Sequence, residues 1–426
     1  MASTNTTPRI IALAARISES VAALQDQLDS KGLSSPSFDE NSPEMLPAEV
    51  AHLQDAVLDA TSELHEMLLS PMSLLFKLGA ISNMVIIDTV CRFHIADMVP
   101  AGGQISYGDI ARQASLDEGI VRRTLRNAMT MRIFQETPDG MVAHTKVSRF
   151  LAIPYIKAWA SVGAQDGWPA CTRVVDAMQK WPGSGEPNET GFSLANNTDK
   201  SIYEVLEADK TRAMRFAASM KAMDHFPGYS IDSVPKAYDW ASLGNAYIID
   251  MGGSHGHVAI EIAKNFKDTK ILVQDMAMVV ESAVVPDELK PRVQFMAHSL
   301  FEPQPVQADV YFFRMIFHNW SDKYALRILR AQVPALRPGS TILIQDCVMP
   351  KPGVVASWIE RDMRAMDMNM GSTFNARERE LDEWKALFAA ADERFVLRRV
   401  IEPERSMVAI LEIVWDPSNC RESLKA

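Results

Sequence analysis

The spacing of hydrophobic positions divides the chain into a helical first half and a second half in which strands and helices alternate. In the first half, apolar residues recur three and four positions apart, which is the spacing of amphipathic helices. Residues 9–30 form the first such segment, with apolar positions at Ile10, Leu13, Ile17 and Val21. Residues 30–47 are rich in Ser and Pro and predict an exposed linker, after which helices resume near Ala48.

The most apolar helical segment runs from Ser70 to Pro100. So much apolar surface requires burial, and a second copy of the chain is one partner that could provide it. Charged residues interrupt the segment, so its apolar runs stay shorter than a membrane span and no membrane partner is expected. We therefore expect a homodimer.

Residues 105–152 have the pattern of a winged helix, with two helices followed by two short strands around the turn TPDG. Such a domain can bind DNA, here through the basic stretch RRTLR, or it can serve only for packing and dimerisation. The chain has 43 basic and 54 acidic residues and a formal net charge of −11. This acidity favours packing, and no nucleic-acid partner is expected.

Residues 153–240 are mostly helical in pattern, and methionine and aromatic residues crowd the stretch 212–226. A methionine stripe on a helix usually packs in a core, but it can also line an adaptable substrate cavity. Both interpretations stay open for Met220 and Met223.

From Tyr247 onward, strands alternate with helices, which predicts an open, doubly wound α/β sheet. The last two strands, RFVLRRVIE and MVAILEIVW, are separated by a short gap and predict an antiparallel hairpin at the end of the sheet. We expect four segments along the chain: a helix with a linker, a winged-helix-like domain, a helical linker that contributes to the substrate pocket, and an α/β domain. Their boundaries are 1–50, 51–160, 161–240 and 241–426.

Cysteine usage and the N-terminal residues bear on the cellular compartment. The four cysteines occur singly, so neither a disulfide framework nor a cysteine zinc site is expected. The N-terminal residues lack the long apolar stretch of a signal peptide. We expect a cytoplasmic protein with free thiols.

A glycine turn at the end of the first α/β strand predicts a ligand site. The strand ends in Asp250-Met251-Gly252-Gly253-Ser254-His255-Gly256, and a second acid, Asp275, ends the next strand. Glycines let the backbone approach a ligand, and an acid in the second position can hold ribose hydroxyls. The turn lacks the spacing of dinucleotide sites and the lysine of a P-loop. An adenosine-type ligand without phosphates fits it better, and the alternative is a purely structural turn.

A histidine follows another apolar strand of the α/β region. The stretch ADVYFF, residues 308–313, has the pattern of a buried strand, and His318 stands where that strand should end. It can be a core histidine, a neighbour of a helix cap, or the general base of an enzyme. Its place at the ligand edge of the sheet, downstream of the glycine turn, favours the base.

With these residues identified, the chain resembles the plant and fungal class of S-adenosylmethionine-dependent O-methyltransferases. The resemblance is carried by IIDMGGSHGHVAIEIA, VQDM, ADVYFFRMIFHNWSDKYALRIL, ALRPGSTILIQDCVMPKPG and MNMGSTFNARERELDEWKALFAAADERF. It covers roughly residues 60–415, and the run from Ala308 to Phe395 is its most specific part. It implies a doubly wound, Rossmann-like α/β methyltransferase domain preceded by an all-helical, winged-helix dimerisation domain. The same fold includes pericyclase-like relatives.

The resemblance also implies roles for individual residues. His318 would be the general base, bracketed by the acids Asp346 and Glu378. The cofactor S-adenosyl-L-methionine would be held by Asp250, Gly252, Gly253, Gly256, Asp275, Met276, Ser299, Leu300 and Arg314. A small hydroxylated substrate would contact Met220, Met223 and Met370.

Ser299 is a departure from the family pattern. The family usually has an aspartate in the segment that reads AHSLF here, where it accepts a hydrogen bond from the adenine amino group. Ser299 can accept only a weaker bond, and losing a charge-assisted bond would cost about 1–3 kcal/mol of cofactor affinity. The strength of cofactor binding therefore stays open.

Methyl transfer to oxygen needs a base that removes the hydroxyl proton as attack begins, which contributes about 10²–10⁴-fold to the rate. Histidine suits this role because it is half ionised near pH ~6.5, and an acid on its far nitrogen would fix one tautomer. Neither an HxxxH motif nor a carboxylate cluster suggests a metal, and none is expected.

Three functions compete on this evidence. The leading hypothesis is an O-methyltransferase that acts on an aromatic or polyketide-type hydroxyl in secondary metabolism. The second is an enzyme of the same fold that catalyses a pericyclic or dehydration step without methyl transfer, which the weakened contact at Ser299 would allow. The third, a non-enzymatic regulator that uses the winged helix, is disfavoured by the low basic charge.

Overall fold

The computed structural model describes residues 7–79, 82–226 and 228–419, without the side chains of Asp224, His225 and Asp232. Its residues group into two units. The first contains the residues up to Trp168 together with Asp209–Ala222 and Pro352–Asp362. The second contains Pro169–Ala208, Met223–Lys351 and the residues from Met363 onward. These units do not follow the four expected segments, because two later stretches of chain group with the first unit.

Helices dominate the part of the chain before the large sheet. Those that precede the winged helix are α1 (Arg9–Ser30), α2 (Ala51–Leu68), α3 (Pro71–Leu78), α4 (Ser82–Arg92) and α5 (Ile95–Met98). The winged helix and its flanking helices are β1 (Gln104–Ile105), α6 (Tyr107–Ala114), α7 (Glu118–Thr130), β2 (Gln135–Glu136), β3 (Val142–Ala143), α8 (Lys146–Leu151) and α9 (Pro154–Val162). The helices that follow are α10 (Trp168–Lys180), α11 (Gly191–Ala195), α12 (Ile202–Ala208), α13 (Lys210–Met220) and α14 (Val234–Ala237).

The winged-helix pattern is present as predicted. The strands pair antiparallel in the order β1-β3-β2. Helices α6 and α7 lie between β1 and β2 in the chain. The carboxylate of Asp117 caps α7 by accepting from the backbone N–H of Ile120. Two arginines of the RRTLR stretch form ion pairs, Arg122 with Glu118 and Arg126 with Glu136. This pairing weakens the case for a basic nucleic-acid surface.

Helix α1 forms as predicted, and only some of its spaced apolar residues are buried. Leu13, Leu24 and Leu28 are buried, whereas Ile10 and Val21 are exposed. The last turns of α1 pack with Val50 in a small apolar cluster. Of the spaced apolar residues, Leu13 therefore belongs to the buried stripe, which continues at Leu24 and Leu28.

Helix α3 and its neighbours carry a large exposed apolar face. None of the residues of α3 is buried, and Phe76 is 82% exposed. We define the apolar face as Leu68, Met72, Leu75, Phe76, Leu78 and Val85. The stretch Pro71–Arg92 is also long and apolar enough to cross a membrane, contrary to the sequence-based expectation, although buried helices of water-soluble proteins satisfy the same criterion. Exposed apolar area of this size indicates a partner surface.

The second unit contains a seven-stranded sheet with the strand order β11-β12-β8-β7-β4-β5-β6. Its strands are β4 (Tyr247–Met251), β5 (Lys270–Asp275), β6 (Val293–Ala297), β7 (Val310–Arg314), β8 (Thr341–Asp346), β11 (Phe395–Ile401) and β12 (Ala409–Trp415). Five strands are parallel, and β12 and β11 form the predicted antiparallel hairpin at one end. The short strands β9 (Val348–Met349) and β10 (Arg379–Glu380) pair separately.

Helices cover both faces of this sheet, which confirms the doubly wound α/β class. The helices of this part of the chain are α15 (His257–Asn265), α16 (Ala277–Val280), α17 (Asp322–Gln332), α18 (Ser357–Phe374) and α19 (Leu381–Ala391). One face packs with α17 and α19 around Trp384 and Phe388. The other packs with α14 and α15 around Trp240 and Phe312. The carboxyl ends of the parallel strands therefore meet at one edge, where ligands bind in such folds.

Cys91, Cys171 and Cys347 are free thiols, as expected from their isolated positions. Cys420 lies outside the described residues.

Candidate active site

His318 lies in a short 3₁₀ turn, Phe317–Asn319, that follows β7 at the ligand edge of the sheet. Its side chain is buried, with 6% of the residue surface exposed. Met315, between β7 and this turn, has a left-handed backbone with φ of 55°. Such a conformation is costly for a side chain of this size and often marks a functional site.

Glu378 orients the His318 ring. Nδ1 of the histidine lies 3.0 Å from Oε1 of the glutamate, and both side chains are buried. Strand β10 begins at the next residue and pairs with β9, which brings Glu378 beside the end of β8. The backbone N–H of Glu378 donates to Asp367 at 2.8 Å, so the glutamate is itself held in place.

Asp346 holds the backbone of the histidine turn. It ends β8, and its Oδ2 accepts hydrogen bonds from the backbone N–H groups of Phe317 at 3.0 Å and His318 at 3.2 Å. Its Oδ1 accepts from the N–H of Cys347 at 3.0 Å. The two acids expected to bracket the base therefore have different tasks. Glu378 fixes the ring, and Asp346 fixes the turn that carries it.

The electrostatics of this cluster favour a protonated histidine. Burial alone would lower the pKa of His318, but the charges of Asp346 and Glu378 and the hydrogen bond to Glu378 outweigh burial and raise the pKa to about 9. Burial raises the pKa of Asp346, against the opposing effect of the histidine charge. At neutral pH the free protein thus holds a proton on His318.

His318, Asp346 and Glu378 also meet the geometric requirement for a metal site, because one ligand atom from each lies within 4.8 Å of the others. In this structure the histidine Nδ1 and the aspartate oxygens take part in hydrogen bonds within the protein. The histidine nitrogen bonds to Glu378, and both oxygens of Asp346 accept backbone N–H groups. The arrangement is that of an oriented acid–base group.

Arg379 is a residue that the sequence reading missed. Its side chain is fully buried, and its guanidinium donates to the carbonyl of Phe317 at 2.9 Å and to that of Trp320 at 2.7 Å. It also donates to the carboxylate of Asp322 at 2.9 Å. One arginine therefore holds the histidine turn on both sides of His318. In the sequence it stands in the charged run ARERE, which gives no sign of burial.

The glycine turn lies at the end of β4, next to the strand that leads to His318. Gly252 and Gly256 have positive φ of 72° and 76°, conformations that favour glycine. A Cβ at Gly253 would lie 2.3 Å from Oδ2 of Asp250, and one at Gly252 would lie 2.5 Å from Cδ1 of Ile316. Larger residues are thus excluded at both positions, and the backbone of the turn stays accessible to a ligand.

Asp250 is a buried carboxylate that a cationic ligand would stabilise. Its side chain is buried, and Oδ2 has no hydrogen-bond partner within the described part of the chain. Burial and the charge of Asp275 raise its pKa to about 7, although Arg314 acts in the opposite direction. A buried carboxylate without a partner is costly unless a ligand satisfies it. The ammonium group expected of S-adenosylmethionine would do so, and these residues fit that cofactor.

The other expected cofactor residues differ in their burial and in their hydrogen bonds. Asp275 ends β5 and accepts from the N–H groups of Ser254 and Met276, at 2.8 Å and 2.7 Å, which fixes its carboxylate at the sheet edge. Ser299 is exposed, and its hydroxyl accepts from the N–H of Phe301 at 3.3 Å within its own turn. Leu300 packs against the core beside it. Arg314 donates to the carbonyl of Tyr229.

The three methionines expected to contact substrate are not equivalent. Met370 is buried in α18, and Met223 is half-buried, both in the second unit. Met220 ends α13 in the first unit and is 46% exposed. Their contact with a substrate stays a prediction.

Comparison with known families supports the resemblance. An O-methyltransferase domain profile matches residues 186–392, and an O-methyltransferase dimerisation domain profile matches residues 77–153. The chain is 45% identical to O-methyltransferase PaMT of Phomopsis amygdali over 96% of this chain and 97% of the relative. It is 34% identical to a chlorophenol O-methyltransferase of Trichoderma longibrachiatum over 96% and 90% of the two chains.

Solved structures share the fold. The structure of OxaC superposes with a TM-score of 0.79 at 20% identity, over 96% of this chain and 100% of that one. A structure described as a pericyclic reaction enzyme superposes with a TM-score of 0.73 at 23% identity, over 93% and 99% of the two chains. At these identities the likeness concerns the fold alone.

The position of Arg379 predicts a large effect of its removal. Arg379→Met should destabilise the protein by about 3–5 kcal/mol in urea unfolding, because it leaves the carbonyls of Phe317 and Trp320 without their charged donor and removes one of the two arginines that pair with Asp322. Arg377→Met is the matched control, since Arg377 also pairs with Asp322 but from an exposed position, and it should cost at most about 1 kcal/mol. Equal losses of unfolding free energy in the two variants would contradict the inference that Arg379 holds the histidine turn.

The raised pKa of Asp250 predicts pH-dependent cofactor binding. A cationic ligand needs the ionised carboxylate, so the affinity for S-adenosylmethionine should rise as the pH increases through about 7 and level off above it. Calorimetric titration between pH 5.5 and 8.5, values that bracket a midpoint near ~7, measures this directly. Asp250→Asn should bind more weakly and show a flat profile. A wild-type affinity that does not change with pH would contradict the assignment.

Proposed function

This chain belongs to the O-methyltransferase family, and from that premise we propose that it methylates a hydroxyl of an aromatic or polyketide-type small molecule with His318 as the general base. Family membership establishes the reaction in general terms, as S-adenosylmethionine-dependent O-methylation in secondary metabolism. The observation that carries the finer proposal is the buried pair of His318 and Glu378, in which His318 follows β7, the strand next to β4 and its glycine turn.

The geometry divides the work among the residues of the site. Because Nδ1 of His318 bonds to Glu378, the proton of the acceptor hydroxyl would pass to Nε2. Asp346 and Arg379 keep the turn in position through its backbone. Bound S-adenosylmethionine supplies an electrophilic methyl group on its sulfonium. Alignment of the acceptor oxygen with that methyl supplies the rest of the acceleration.

The protonation state of His318 sets a condition on this mechanism. A general base must be neutral to accept a proton, yet a pKa of about 9 leaves most of the free protein protonated at neutral pH. A bound cation lowers the pKa of a nearby histidine, since like charges disfavour the charged form. Binding of the cationic cofactor would therefore help to release the proton from His318 before the acceptor reacts.

The acceptor class follows from chemistry and from the relatives. A phenol has a pKa near ~10, close enough to that of His318 for proton transfer between them to be nearly balanced. One relative is named for chlorophenol, which supports phenols as the first acceptors to test.

A second candidate function uses the same histidine in the opposite sense. A protonated His318 can donate a proton, which suits a dehydration or pericyclic step in which the cofactor is not consumed. The raised pKa of His318 and the shared fold with a pericyclic reaction enzyme support this alternative. Family membership favours methyl transfer, so the alternative ranks second.

We also propose that the chain works as a homodimer. The matched dimerisation domain covers part of the exposed apolar face, and a second copy of the same face is its natural cover. Burial of several large side chains there would supply the association energy.

Substitution of His318 tests the proposed reaction. With labelled S-adenosylmethionine and a panel of phenols, His318→Ala should transfer label about 10²–10⁴-fold more slowly than the wild type, because the positioned base is gone. Its affinity for S-adenosylhomocysteine should be unchanged, which shows that the site is folded. Unaltered label transfer in the variant would contradict the role of His318.

The pH profile separates the two candidate functions. If His318 acts as a base, kcat/KM measured with S-adenosylmethionine as the varied substrate, which reports the free protein, should rise as the pH increases through about 9, since only the neutral ring accepts a proton. If it acts as an acid, activity should fall over the same range. A falling profile, with turnover of a polyketide precursor but no label transfer, would replace the first function by the second.

Charge on the apolar face tests the dimer. Phe76→Glu should shift the mass measured by light scattering from dimer toward monomer, because a buried carboxylate without a partner opposes association. Met178→Glu is the matched control, since Met178 is an exposed methionine of α10 outside the apolar face. A wild-type protein that is monomeric, or one that binds lipid vesicles through this face, would contradict the proposal.

A further inference from the structure

Gln345 is a fully buried residue whose two polar side-chain atoms have no hydrogen-bond partner among the residues that the structure describes. It is the fifth residue of β8 and directly precedes Asp346 at the ligand edge of the sheet. An unpaired buried amide costs free energy, and native proteins contain few of them. Such a group at a ligand edge indicates a partner supplied by a ligand.

The register of the sheet shows which residues share a face with Gln345. Side chains alternate along a strand, so Gln345 points away from the face that carries Asp346 and the histidine cluster. Gln345 pairs with Arg314 of β7. Phe312, two residues before Arg314, pairs with Asp250 of β4. Asp250, Arg314 and Gln345 thus lie on one face at the carboxyl ends of three neighbouring strands.

These three side chains offer an anion, a cation and a neutral amide in order across the sheet. Neighbouring strands are about 4.8 Å apart and Asp250 lies two residues, about 7 Å, before the level of Arg314 and Gln345, so the ends of the set are roughly 12 Å apart. Two hydrogen bonds of about 2.9 Å at its ends leave room for a small zwitterionic group between them. An ammonium would satisfy the unpartnered oxygen of Asp250, and a carboxylate would accept from the amide of Gln345 beside Arg314. The two groups occur together on an α-amino acid.

The cofactor of this family carries such a group. Asp275, expected to hold its ribose, ends β5 on the other side of β4 from β7. From there the amino-acid end can extend across β4 toward β7 and β8. We propose that Gln345 completes, with Asp250 and Arg314, a subsite for the α-amino-acid end of S-adenosylmethionine, in which the amide of Gln345 donates to the carboxylate.

Two ligands that differ only in this end separate the subsite from a general effect on folding. S-adenosylhomocysteine has the amino-acid group, and 5′-methylthioadenosine lacks it. In calorimetric titrations, Gln345→Leu should weaken the binding of S-adenosylhomocysteine about 10- to 100-fold, as expected for a lost hydrogen bond to a charged group. Its affinity for 5′-methylthioadenosine should stay unchanged. Leucine replaces an unpaired amide of similar size, so the fold should be retained.

A change of charge and a matched control sharpen this test. Gln345→Glu should weaken the binding of S-adenosylhomocysteine further, because the new carboxylate then faces the carboxylate of the ligand. The affinity for 5′-methylthioadenosine should again stay unchanged. Gln332→Leu removes another buried amide, one that is hydrogen-bonded within α17 and to Gln304, and should alter neither affinity.

Three results would overturn the subsite. Equal weakening of both ligands by Gln345→Leu would assign the residue to the fold. Unchanged affinity for both would leave the amide without a role in cofactor binding. A raised KM for the acceptor with unchanged cofactor affinity would assign the amide to the acceptor instead.

Discussion

The hydrogen bond between Nδ1 of His318 and Oε1 of Glu378 is the interaction on which the chemistry of this site depends. It joins two turns that are 60 residues apart in the chain, and it lies where the backbone of each is already fixed. Asp346 and Arg379 hold the histidine turn through its N–H and carbonyl groups, and Asp367 holds the backbone of Glu378. With Nδ1 bonded to Glu378, Nε2 is left to exchange a proton with a substrate. The neighbouring acids set the protonation state of the ring before the substrate binds.

Charge organises both halves of the site. Around His318, two acids stabilise a proton on the ring and raise its pKa to about 9. Around Asp250, burial and a neighbouring acid destabilise the carboxylate and raise its pKa to about 7. A cationic cofactor would act on both groups, because its positive charge would stabilise the ionised carboxylate of Asp250 and destabilise the protonated ring of His318. On the proposed mechanism, cofactor binding would thereby be coupled to the ionisation of Asp250 and to the release of the proton from His318.

Much of this site could be predicted from the sequence, because the end of an apolar run marks the end of a buried strand. Asp250, Asp275, His318 and Asp346 each follow or end an apolar run, and parallel strands bring such positions to one edge. Arg379 and Gln345 could not be predicted. Arg379 sits in a charged run that has the pattern of a solvated surface, and its burial depends on pairing with a turn far away in the chain. Which of the spaced apolar residues of α1 are buried could not be predicted either, because the partner surface of a helix is set by tertiary packing.

The central claim is that His318 and Glu378 act as one unit, and a kinetic double-mutant cycle tests it most directly. His318→Ala, Glu378→Gln and the double variant are compared by kcat/KM for methyl transfer to a phenol. If Glu378 acts through the histidine, its replacement should slow the wild type but add little once His318 is gone. Losses that multiply, with the double variant slower than either single one by the full product, would contradict the account.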